Sequence, residues 1–116
     1  LRIILKHIME KFLFYSAGAS PDDMVCVPAY RVTNILVLSD TTMAIRHRLP
    51  DNSTVGSDVR YEVGLTINSG TGKKVSDTIS NAINSGKNPF IVIADDTNKV
   101  YIDGDITAVG TLTVIS

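Results

Sequence analysis

The sequence predicts an α+β domain. It should be a mostly antiparallel sheet, barrel-like or strongly curved, with one amphipathic helix at about residues 73–85 packed against a face or plugging an end. Three observations lead there. Seven or eight runs rich in Val, Ile, Thr and aromatic residues are separated by Gly, Asn, Asp or Pro clusters. One stretch alone, Val75, Ile79, Ala82 and Ile83, repeats at i, i+4, i+7 and i+8, the apolar stripe of a helix. Strands and helices do not alternate, so a doubly wound parallel sheet is not expected.

Taken in order, Phe12 and Phe14, continued by Ser16, set one face of a first strand that ends at Ala17-Gly18-Ala19. Ser20-Pro21-Asp22-Asp23 has the chemistry of a turn or a short helical start. Val25-Cys26-Val27 is a short strand halted by Pro28, which cannot donate to a central ladder. Cys26 is the sole cysteine, so it has no intrachain partner, and it reads as a small buried hydrophobe. The branched run Tyr30 to Leu38 is a long strand, and Ser39-Asp40-Thr41-Thr42 is turn chemistry. In the strand that returns, Met43, Ile45, His47 and Leu49 share a side opposite Ala44, Arg46 and Arg48, which makes a hairpin. Residues 50–58 are a polar loop.

Val59, Tyr61, Val63, Leu65 and Ile67 then alternate with polar or small residues as a half-buried strand. Asn68-Ser69-Gly70-Thr71-Gly72 breaks it before the helix. Ser85-Gly86-Lys87-Asn88-Pro89 stops the helix, and Phe90 to Ala94 is a buried strand. Asp95-Asp96-Thr97-Asn98 turns the chain into a hairpin partner, Lys99 to Ile102, and Asp103-Gly104-Asp105 turns it again. Ile106 to Ile115 closes the fold, with Gly110 predicting a bulge or bend. This last run carries no charge after Asp105, so it lacks the usual protection of an edge strand. It is expected to pair with the first strand, Phe12 to Tyr15, in the same or the next chain.

At 116 residues the chain is long enough for one core without disulfides. Residues 9–116 read as that single domain, with Met9 a natural start and 1–8 an upstream extension foreign to it. A formal charge of −1 argues against binding nucleic acid by neutralising phosphates. No run approaches the ~18 consecutive apolar residues of a membrane span, and Lys6, His7, Glu10 and Lys11 interrupt any signal-peptide core.

Gly70-Thr71-Gly72-Lys73-Lys74 invites a phosphate-loop reading, but Ile67 stands where the first glycine is needed and Lys74 where a Ser or Thr should hold magnesium. A simpler capacity remains: backbone N–H groups at the helix start, with Gly70, Thr71, Gly72 and Lys73, could hold an anion. Asp95, Asp96, Asp103, Asp105 and Asn98 offer oxygen ligands, yet they break the calcium-loop pattern, and Asp and Asn are ordinary turn formers. His47 points with Ile45 and Leu49, which suits a part-buried histidine better than a catalytic base. Arg31, Arg46, Arg48 and Arg60 could form a basic face on neighbouring strands.

Met9-Glu10-Lys11-Phe12, Val25-Cys26-Val27-Pro28-Ala29, Ile35 to Leu38 with Ser39-Asp40, and Val63 to Ala94 with Asp95-Asp96 together resemble small structural proteins of tailed bacteriophages of marine bacteria. The resemblance implies a virion subunit with no catalytic residues to carry over. The expectation is therefore a non-enzymatic structural or assembly protein. It would be a homo-oligomer joined through strand edges, contacting other virion proteins, with no cofactor, metal, nucleic acid or membrane, in the virion or host cytoplasm rather than secreted. Two alternatives stand beside it. One is an anion- or small-ligand-binding module at the helix start. The other is a small enzyme around Asp95, Asp96 and His47.

Overall fold

The computed structural model of the chain describes residues 10–20, 23–48 and 60–115. Residues 1–9, with the expected upstream extension, Pro21 and Asp22, residues 49–59, with the expected loop 50–58 and Val59, and Ser116 lie outside them. The described strands are β1 (Phe12–Ser16), β2 (Met24–Pro28), β3 (Val32–Val37), β4 (Thr42–Arg48), β5 (Arg60–Ile67), β6 (Phe90–Asp95), β7 (Val100–Tyr101) and β8 (Ile106–Ile115). One α-helix, α1 (Gly72–Asn84), lies between β5 and β6. The eight strands form two four-stranded sheets, β2-β1-β6-β7 and β3-β4-β5-β8. Neither closes into a barrel. Among the described strands every pairing is antiparallel except β1 with β6, which is parallel.

The expected long strand Tyr30 to Leu38 is shorter. Ala29–Arg31 is a single 3-10 turn, and its buried Ala29 carries the chain from the first sheet to the second. The expected pairing of the last strand with the first is also wrong. β1 has both edges filled, by β2 and β6, while β8 pairs with β5 at the edge of the other sheet. Adjacency to the Phe90 hairpin misled that expectation, because the helix moves β6 and β8 into different sheets. The bulge at Gly110 is present: Val63 faces Leu112 and Leu65 faces Val109, so two residues of β8 oppose Gly64.

The core lies between the sheets. Leu13 and Tyr15 from β1, Ile91 and Ile93 from β6, and Met43, Ile45, Val63 and Leu65 from β4 and β5 are buried. Helix α1 closes it with Val75 and Ile79, both fully buried, and with half-buried Ile83. Gly72 is the point of closest approach: a Cβ there would stand 2.8 Å from a Val37 methyl carbon. At the other end of α1, the Lys11 ammonium donates to the carbonyls of Ile83, at 2.6 Å, and Ala82, at 3.3 Å, a cation on the negative end of the helix.

The outer faces differ. On the first sheet, Met24, Cys26 and Pro28 of β2 stand beside Phe12 and Phe14 of β1, and Phe90 and Val92 of β6 continue the row. On the second sheet, Arg46 lies opposite Glu62 and bonds it at 2.9 Å, with Arg48 opposite Arg60 one rung along that same face. Cys26 is thus exposed, not buried. Alternation along β2 turns Val25 and Val27 inward and Cys26 outward, opposite Phe14.

Candidate functional site

Three places could carry chemistry: the helix start, the acidic turns and the buried histidine. At the helix start, Gly70 takes φ +77°, the left-handed conformation that suits glycine. The turn this allows sets the Gly70 nitrogen 3.0 Å from one carboxylate oxygen of Asp40, while the other oxygen accepts from the Ser69 hydroxyl. Thr71 turns its hydroxyl back onto the Asn68 carbonyl at 2.7 Å and does not cap the helix. Lys73 reaches along its own helix to Asp77, at 2.9 Å. The anion at this turn is the chain's own Asp40, and Lys73 points to another carboxylate.

Lys74 turns the opposite way. Its ammonium lies 2.7 Å from Asp105 and 2.9 Å from Asp103, which raises its own pKa, mostly through Asp105. Asp103 also accepts from the Thr78 hydroxyl at 2.8 Å and from the Asp105 N–H at 2.9 Å. The Asp105 N–H, then Lys74, hold Asp103 below the usual carboxylate range. Asp105 is held down first by the Asn68 amide, then by Lys74. These groups tie α1 to the turn between β7 and β8.

Asp95 and Asp96 divide their tasks. Asp95 accepts from the N–H groups of Thr97 and Asn98 and from the Asn98 amide, an Asx turn that lowers its pKa. Asp96 bridges the sheets. Its N–H donates to Ser16 of β1, one oxygen accepts from the Tyr101 hydroxyl at 2.6 Å, and the other accepts from the Val109 N–H of β8 at 3.2 Å. The Asp96 carboxylate pushes the Tyr101 phenol up to about 12. Among the described residues, no group of three or more His, Cys, Asp or Glu is placed to hold a metal ion.

His47 is fully buried, as its alternation with Ile45 implies. Its Nε2 lies 3.0 Å from the Tyr15 hydroxyl, the rings meeting edge to face, so β4 of one sheet bonds β1 of the other. Among the described residues, Nδ1 has no hydrogen-bond partner. Burial lowers the His47 pKa to about 4; the Tyr61 backbone across the strand pulls slightly the other way without reaching hydrogen-bonding geometry at Nδ1. The same burial raises Tyr15. Among the described residues, no hydrogen bond or ion pair joins His47 to Asp95 or Asp96.

The arginines do gather, but with partners. Arg46 pairs with Glu62, and the guanidinium carbons of Arg31 and Arg48 lie 5.6 and 5.5 Å from the centre of the Tyr30 ring. A half-open groove of about 380 Å³ beside β6 and β7 is lined by Ala82, Ile91, Tyr101 and Ile102, with Lys87 and Asn88 among its polar residues. Sequence reasoning missed the Asp96 bridge and the Lys74 cluster. Asp-Asp and Lys-Lys pairs hide the different work of each member, because neighbours on a turn or helix point different ways. Comparison with known protein families, curated proteins and solved structures gives no match.

Proposed function

We propose that this chain is a non-enzymatic structural or assembly protein, a virion subunit that self-associates through strand edges and touches other virion proteins. The observation that carries the reading is β8. It is an edge strand of ten residues without a charged side chain. Its Val109 N–H is engaged by Asp96, and part of its length lies against β1 and β6, while Thr111 and Thr113 are exposed. Exposed edges of this length template pairing with another chain unless charge, proline or cover blunts them. The carboxylates of Asp40, Asp95, Asp96, Asp103 and Asp105 are meanwhile taken up in the fold's own bonding.

Light scattering on the full chain at micromolar concentration tests this. A mass above that of one chain is expected, reduced in Thr111→Lys, which puts a charge on the exposed part of β8. A single-chain mass for the unaltered protein would overturn the reading. The virion assignment rests on the sequence resemblance alone and is tested separately, by finding the protein in purified particles.

A further inference from the structure

Like charges gather at one end of the second sheet. Arg48 of β4 stands directly opposite Arg60 of β5. Val32 faces His47, so Arg31, one residue before Val32, comes beside Arg48, one residue after His47. Three arginines thus follow one another across neighbouring segments, roughly 10 Å from first to last at the spacing of strands. Like charges placed opposite one another weaken a sheet, so the row is kept at a cost. Arg46, two residues along β4, is paired with Glu62. Arg31 and Arg48 have no carboxylate within ion-pair distance among the described residues. They share the ring of Tyr30 instead, with guanidinium carbons 5.6 and 5.5 Å from its centre. That ring is 54% exposed, and Arg48 is exposed beside it.

We infer that Tyr30, Arg31 and Arg48 form a docking site for a short acidic segment of a partner protein, whose carboxylates the two guanidiniums receive. The ring decides how. A guanidinium held against an aromatic face keeps its N–H edge free, and that edge matches the two oxygens of a carboxylate. One ring therefore holds two forks in place before the ligand arrives, which lowers the ordering cost of binding. Charge selects the occupant. Four arginines and one glutamate gather here, in a chain whose formal charge is −1, so the rest of the chain is acidic. A long polyanion such as nucleic acid needs a wider basic surface and would meet that acidic remainder. A short acidic segment meets only the arginines. The inference rests on the reading that the chain binds other proteins, and gives that contact a place and a chemistry. It makes no use of β8, so it stands or falls apart from self-association.

Fluorescence anisotropy of dye-labelled hexaglutamate, titrated with the full chain in about 20 mM sodium chloride, tests it. Saturable binding is expected, and should be lost in about 500 mM salt. Arg48→Gln should weaken it about tenfold through the loss of one charged pair. Tyr30→Ala should weaken it too, although it removes no charge. Tyr30→Phe should bind as the unaltered chain does, because the ring and not the hydroxyl holds the guanidiniums. Both positions are exposed, so these variants should keep the melting temperature. Lys73→Ala, which removes a cation elsewhere, should leave binding as it is. No binding, or binding that Tyr30→Ala leaves intact, would overturn the inference. So would oligodeoxythymidylate bound more tightly than hexaglutamate, since the site would then serve nucleic acid. Binding that appears only in the double variant Asp51→Asn, Asp58→Asn would give the arginines to the chain's own carboxylates and overturn it as well. A fall in oligomer mass in Arg48→Gln would do the same, by making a second copy the occupant. Light scattering on the unaltered chain reads self-association separately.

Discussion

The two sheets share one core but meet their surroundings differently. The second sheet turns an ion pair and two further arginines outward, although Val37 at the end of β3 and Leu38 after it are exposed. The first turns phenylalanines, a methionine and a cysteine outward. Both inner faces supply fully buried side chains, Leu13 and Ile93 from one and Ile45 and Val63 from the other, so the contrast is not one between a good and a poor core. It teaches that two sheets can share one core and still present different chemistry to water, because alternation decides each outer face separately.

The comparison assumes that both outer faces hang on a common interior. The largest expected effect tests that. Ile79→Asp places an unpaired charge where the side chain has no exposure, and should cost more than about 4 kcal/mol and unfold both sheets together. Chemical denaturation monitored by circular dichroism reads it; an unchanged transition would show that α1 does not close the core.

Next is the bond between the inner faces. The folded pKa of His47, about 4, lies below its ordinary 6.5. The unfolded chain therefore takes up the proton first. Stability from this group is complete above pH 6.5 and is lost as pH falls towards 4, by about 3 kcal/mol in all. Denaturation from pH 7 to pH 4 should show that slope, and His47→Gln should flatten it. An equal slope in the variant would place the acid sensitivity elsewhere.

The smallest effects belong to the charged face. Arg46→Ala breaks a half-exposed ion pair with Glu62 and should change stability by less than about 1 kcal/mol, with no change in mass. A drop in oligomer mass would erase the distinction between the two faces. Lys73→Ala, which frees Asp77 of an exposed helix pair, should leave the melting temperature and the response to added ATP as they are. Saturable nucleotide binding lost in this variant would restore the phosphate-loop reading.

Much of this was legible in the sequence. The 3.6-residue period placed α1 to within a residue at each end, and the alternation along β4 turned His47 inward. Gly110 announced its bulge. Sheet membership was not legible. Local patterns fix strands, but which strand joins which sheet depends on where the helix crosses, and that brought β1 beside β6 and sent β8 to β5. The Cys26 expectation failed for a related reason. Residue type favoured burial, while the register of β2 against β1 decided exposure. The anion reading met Asp40, thirty residues away in sequence from Gly70, and such distant hydrogen bonds leave no local trace.

The central claim is that this protein works by assembling with itself. Sedimentation equilibrium of the full chain, across the micromolar range and at low and high sodium chloride, tests it most directly. Contacts made by uncharged backbone edges should give a mass that rises with concentration and does not fall with salt. A single-chain mass at every concentration, or an assembly that salt dissolves, would contradict the account.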